Sequence, residues 1–79
     1  MGKHILVIGA TLLDTKGKPL AGLELGTSNP ANVRITRGGT ARNVAENLGR
    51  LGADVMLISA VGDDVIGDQL VAQTADAGV

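Results

Sequence analysis

The stretch Arg37-Gly38-Gly39-Thr40-Ala41-Arg42-Asn43 is the part of this chain best equipped for chemistry. Two adjacent glycines allow backbone angles closed to other residues and let a ligand approach the main chain. A helix starting just after them would turn its first, unpaired amides outward. Asn43, one turn in, carries an amide that both donates and accepts, which suits a hydroxyl-bearing ligand. The plainer reading is a flexible turn before a capped helix, and spacing alone favours it.

Asp14 is the second ingredient. It closes the region of an apolar run that reads as a strand, and ligands in open α/β sheets gather at the carboxyl ends of strands. Alone, such a residue is a turn or cap. If that strand and the one after the helix run parallel, however, Asp14 and Asn43 lie on one rim and can converge on one small molecule. A carboxylate accepting from two hydroxyls, with an amide beside it, makes a sugar-like site.

Other candidates carry less. Gly62-Asp63-Asp64 with Gly67 imitates a calcium loop, but the oxygen ligands do not alternate as required and no glutamate closes the loop, so helix capping explains it better. Neither GxxxxGK[ST] nor GxGxxG occurs. His4 has no cysteine, second histidine or acid beside it in sequence and reads as structural. Arg37, Arg42, Lys16 and Lys18 fit a phosphate-attracting rim and dispersed surface charge equally well. No catalytic residue and no metal ligand is assigned.

The elements that must hold these residues follow from periodicity. Residues 4–10 (HILVIGA) and 55–61 (VMLISAV) are aliphatic runs without polar alternation, as in parallel strands covered on both faces. Across 40–51, Ala41, Val44, Ala45, Leu48 and Leu51 recur at helical spacing, with Thr40 as N-cap and Gly52 as stop. Glu46 and Arg50 stand at i and i+4 on its exposed face. A second helix is expected over 65–77, with Asp63 or Asp64 at its start, Ile66, Leu70 and Val71 inward and Gly78 as its end. Between them, residues 15–37 are broken by Gly17, Pro19, Gly22, Gly26 and Asn29-Pro30, and read as a small β-ribbon. Ala21, Leu23 and Leu25 share one face of its first run, and Val33 and Ile35 one face of its second. The fold class is α/β, with a right-handed crossover making the two long strands parallel.

Composition sets the outer limits. Seventy-nine residues amount to one small domain or part of a larger one. With 44% apolar and 19% charged residues and a net charge of −1, the chain reads as a globular interior for which nucleic acid is not an obvious partner. The lack of cysteine removes disulfides, thiolate zinc sites and a cysteine nucleophile. No aromatic residue is present and glycine supplies 12 positions, so the core must be aliphatic and thin, with partners expected elsewhere. The opening apolar run is interrupted by Gly9 and Thr11, which argues against a secretory signal, and it is too short to span a membrane. Gly2 is not followed by Ser or Thr at position 6, so N-terminal acylation is not expected. A cytoplasmic protein is expected.

Gly38-Gly39-Thr40-Ala41-Arg42-Asn43-Val44-Ala45, with Gly52 and Gly62 at fixed distances beyond, resembles the first signature of the ribokinase (PfkB) family of carbohydrate and nucleoside kinases. Val61-Gly62-Asp63-Asp64 followed by Gly67 supports the resemblance, which covers nearly all of this chain but only about the first quarter of a family member. It implies a ribokinase-like fragment with a Rossmann-like parallel sheet and a β-ribbon lid. It implies that Asp14, Gly39 and Asn43 hold sugar hydroxyls, with Gly38-Gly39 as the hinge of the lid. Thr27-Ser28-Asn29-Pro30 and the signature helix are similar to the pseudouridine kinase branch. ATP and Mg2+ are implied as cofactors, with their sites outside this chain, as are the catalytic aspartate and the anion hole. Expected partners are a sugar or nucleoside, the remainder of the kinase domain and further copies in a homo-oligomer. The 79 residues alone should therefore not phosphorylate anything. The competing reading is a catalytically inactive α/β module that oligomerises, and a dinucleotide-binding half-domain is disfavoured by the missing GxGxxG.

Overall fold

A computed structural model describes residues 4–79, so the Gly2 reading lies outside the described residues. In chain order the elements are β1 (His4–Ile8), β2 (Leu12–Pro19), β3 (Ala31–Gly38), α1 (Thr40–Arg50), β4 (Asp54–Ile58) and α2 (Val65–Asp76). β1 and β4 pair in parallel, with Ile5 opposite Val55 and Val7 opposite Leu57. β2 and β3 form a separate antiparallel ribbon. The parallel pair with its crossover is the α/β arrangement expected from the two aliphatic runs.

One face of the parallel pair rests on α1. Val55 and Ala45 are buried there, with Val7 and Leu57 partly covered. The opposite face carries Leu6, Ile8, Met56 and Ile58, which are 51% to 68% exposed. The absence of polar alternation in these strands thus records apolar residues on both faces, only one of which is covered within this chain. The core is thin, as the lack of aromatics requires: Ala45, Val55, Leu70 and Ala77 are its buried hydrophobic members. Val44, Leu51, Ile66 and Val71, expected inward, are exposed. α2 turns Gly67, Leu70 and Thr74 inward instead.

The ribbon lies elsewhere than its apolar residues suggested. Ala21, Leu23 and Leu25 fall in the loop between the strands, and the first strand is the more polar Leu12–Pro19. That loop is braced by Asn29, whose Oδ1 accepts from the Glu24 amide at 2.9 Å while its Nδ2 donates to the carbonyls of Glu24 and Thr27. A side chain closing a loop on its own backbone competes with a strand ladder. Pairing also divides the ribbon into two faces: Asp14, Lys16, Arg34 and Thr36 on one, Leu13, Val33 and Ile35 on the other. The ribbon elongates the molecule to 58 × 26 × 18 Å, with a radius of gyration of 16.4 Å. A compact chain of this length would have roughly 12 Å.

Helix boundaries bring one correction. The N-cap of α1 is Gly39, with φ 98° and ψ 129° and no side-chain cap, while Thr40 is already the first helical residue. Position 39 lies where side chains are strained, and a Cβ there would strike the Ala10 carbonyl, with Ala10 C only 2.8 Å away. α2 is capped as expected, Asp64 accepting from the Gly67 amide at 2.7 Å.

Candidate functional site

Three segments meet at the start of α1. The chain leaving β1 passes through Gly9, Ala10 and Thr11, and a Cβ on Gly9 would lie 2.6 Å from that of Ala41. The Ala10 carbonyl accepts from the Arg42 amide at 3.2 Å. One of the first-turn amides expected to face a ligand is therefore spent on anchoring β1 to the helix.

Asp14 does not end the first strand, which stops at Ile8. It is the third residue of β2, opposite Thr36. Its carboxylate lies against the α-carbon of Gly38, which is buried: a Cβ at Gly38 would collide with Asp14 Oδ2 and come within 2.9 Å of Leu12 Cδ1. Gly38 admits the acid, and Gly39 admits the Ala10 carbonyl. The two glycines thus serve close packing at the base of the ribbon.

Asn43 is exposed one turn into α1 and lines a cavity of about 260 Å³ with Ile35, Thr36, Arg37, Arg42 and Glu46. Asp14 is not among the lining residues, although its cross-strand partner Thr36 is. A larger cavity of about 400 Å³ lies between β4 and α2 among Val55, Met56, Leu70, Val71 and Val79. It is mostly apolar and holds neither Asp14 nor Asn43.

Arg42, grouped from sequence with surface cations, is 2% exposed. Its Nε donates to Thr74 Oγ1 at 3.1 Å, one terminal nitrogen donates to Asn43 Oδ1 at 2.9 Å, and the other pairs closely with Glu46. Thr74 in turn donates to the Leu70 carbonyl at 2.7 Å. Glu46 also accepts from Arg50 Nε at 2.9 Å. The Arg50 guanidinium, and then that of Arg42, hold the Glu46 carboxyl below its ordinary range. A buried cation of this kind persists because its donors are matched. The signal available in sequence was the i,i+4 spacing of Arg42 to Glu46, the same as that of Glu46 to Arg50. Arg37 donates to Gln73 at 3.2 Å and leaves its Nε buried without a partner.

His4 faces Asp54 across the parallel pair at 2.6 Å, a partner that sequence order did not reveal. Among the described residues no group of three or more His, Asp or Glu side chains is placed to hold a metal ion. No helix among them is long and apolar enough to cross a membrane.

Comparison with known proteins gives the setting for this geometry. The profile described as pfkB family carbohydrate kinase matches residues 2–79. A pseudouridine kinase from Escherichia coli (strain K12) is 40% identical over 76 residues, which are 96% of this chain and 24% of that protein. A carbohydrate kinase from Agrobacterium tumefaciens superposes with a TM-score of 0.86 at 38% identity, over 98% of this chain and 25% of that one. A fructokinase from Xylella fastidiosa with bound ATP superposes with a TM-score of 0.79 at 35% identity, over 100% of this chain and 24% of that one. The chain thus spans about a quarter of the length of the proteins it matches.

Proposed function

The chain belongs to the pfkB family of carbohydrate kinases, and on that basis we propose that it is the substrate-binding portion of an ATP-dependent sugar or nucleoside kinase. What supports this reading is Asp14 lying against Gly38 at the base of the ribbon, next to Gly39 at the N-cap of α1, with Asn43 one turn into that helix on the cavity lined by Thr36, the cross-strand partner of Asp14. Asp14 accepts hydrogen bonds from sugar hydroxyls, and Asn43 supplies an amide that donates to one. Gly38 and Gly39 bring the main chain close and act as the hinge of the ribbon, which covers the sugar as a lid. The resemblance to a pseudouridine kinase favours a nucleoside with a ribose, pseudouridine first.

Phosphoryl transfer is mainly positioning and electrostatic stabilisation of the moving group. These residues supply the positioning of the acceptor hydroxyl. ATP with Mg2+ supplies the phosphoryl group, and the residues that hold the nucleotide and take the hydroxyl proton belong to the remainder of the kinase domain. The 79 residues alone are inactive in this reading. The bare face of Leu6, Ile8, Met56 and Ile58 is where the remaining part of the domain packs. The same face favours a second reading, an oligomerising module without catalysis.

The test is ATP-dependent phosphorylation by the full-length protein that carries this segment, across pseudouridine, ribose, fructose and adenosine. Turnover of a nucleoside or sugar, with KM raised by Asp14→Ala and by Asn43→Ala, is expected. No turnover, together with a well-folded dimer of the 79-residue chain, would favour the module. Turnover with unchanged kinetics in both variants would remove these residues from the site.

A further inference from the structure

We propose that Arg42 is a positioning residue of the sugar site, fixing which end of the Asn43 amide faces the ligand and tying that choice to α2. The inference rests on the sugar-binding reading of Asn43. Arginine carries donors only, so whichever atom of the Asn43 side chain lies 2.9 Å from its terminal nitrogen must be the amide oxygen. That contact consumes acceptor capacity at Oδ1 and leaves the NH2 group for the cavity shared with Thr36. Asn43 therefore presents a donor, complementary to the acceptor carboxylate of Asp14. A sugar hydroxyl can accept from the one while it or its neighbour donates to the other.

The guanidinium can impose this because it is itself held on every side. It is 2% exposed, its Nε is fixed on Thr74 and its other terminal nitrogen on Glu46. Thr74 sits one turn beyond Leu70 on α2, anchored to that carbonyl. A lysine would keep the charge beside Glu46, but it is a single point charge and lacks the planar fork that reaches three partners at once. Neither Arg42 nor Thr74 is asked to touch the substrate. Their effect on it passes through the Asn43 amide.

The experiment compares Arg42→Lys and Thr74→Val with the unaltered full-length kinase, using pseudouridine, or whichever nucleoside is turned over, and its 2′-deoxy and 3′-deoxy forms. Arg42→Lys should raise the nucleoside KM about tenfold, the scale of one misplaced hydrogen bond, while the ATP KM stays within about twofold. The discrimination against one of the deoxynucleosides should collapse in that variant, because the hydroxyl it lacks is the one that Asn43 serves. Thr74→Val, which keeps the volume and removes the anchor, should move both readouts the same way by a smaller factor. It stands as the test should Arg42→Lys fail to fold. Asp64→Ala, which removes the acceptor of the Gly67 amide at the start of α2, should lower thermal stability without altering the deoxynucleoside ratio. Unchanged nucleoside KM and unchanged discrimination in both Arg42→Lys and Thr74→Val would overturn the proposal. If Asn43→Ala is also silent, the sugar-site reading falls with it. If Asn43→Ala is damaging, only the positioning role is lost.

Discussion

Replacing Gly39 by alanine tests the packing at the base of the ribbon most sharply. Its φ of 98° and ψ of 129° lie outside the regions open to L-residues. Holding a side chain in such a region costs about 1–3 kcal/mol. The new Cβ would also strike the Ala10 carbonyl. Moving that carbonyl sacrifices its bond from the Arg42 amide, 3.2 Å long, worth roughly 0.5–1.5 kcal/mol. The sum is about 1.5–4.5 kcal/mol, or a drop in Tm of roughly 2–7 °C in a protein of about 300 residues. Two controls separate strain from collision. At Gly52, φ is 85° but nothing lies within 4 Å of a Cβ, so alanine there should cost only about 1–2 kcal/mol. Gly22 has neither a positive φ nor a neighbour within 4 Å, and alanine there should change stability by less than about 0.5 kcal/mol. Scanning fluorimetry of the three variants in the full-length protein should rank them Gly39→Ala, Gly52→Ala, Gly22→Ala from most to least damaging. A Gly39→Ala protein as stable as Gly22→Ala would refute the steric account of the double glycine.

Two further outcomes concern stability. Because Arg50 and Arg42 depress the folded-state pKa of Glu46, the ion pair's contribution should be fully present above the ordinary glutamate range near 4.5 and fade as pH falls through the lower folded value; a Glu46→Gln variant should narrow its stability gap to the parent over that acidic window, and a constant gap from pH 7 to pH 3 would contradict the pairing. Asp64→Ala removes the acceptor of the Gly67 amide and should lower stability by about 0.5–2 kcal/mol in denaturant titration, whereas Asp63→Ala, which caps nothing in the structure, should lie near zero.

The parallel strands and the helices were legible because their signals are local. Val55 to Ile58 and Ile5 to Ile8 are apolar throughout, and Ala41, Ala45 and Leu48 mark the covered side of α1 at a 3.6-residue period. The ribbon was only half legible. Its first strand, with Asp14, Lys16, Gly17 and Lys18, is too polar to announce itself and is held by pairing with β3. The tempting alternation of Ala21, Leu23 and Leu25 belongs to a loop closed by Asn29. Thr40 has the better side chain for an N-cap, yet Gly39 takes the position because only glycine fits its backbone angles beside Ala10. Arg42 was half legible: its pairing with Glu46 follows from i,i+4 spacing, but its hydrogen bond to Thr74 spans 32 residues to α2, and neither spacing nor charge pattern reports a contact at that separation. Asp14 and Asn43 were singled out by residue type and by the parallel-strand argument. The structure adds the glycine surface under Asp14 and the guanidinium beside Asn43.

The decisive measurement is a crystal structure of the full-length protein with the proposed nucleoside substrate bound. Ribose hydroxyls should lie within about 2.7–3.2 Å of both the Asp14 carboxylate and the Asn43 amide nitrogen, with the ribbon folded over them. A nucleoside seated elsewhere, or one that leaves both side chains turned to solvent, would contradict the assignment of this junction as the sugar site.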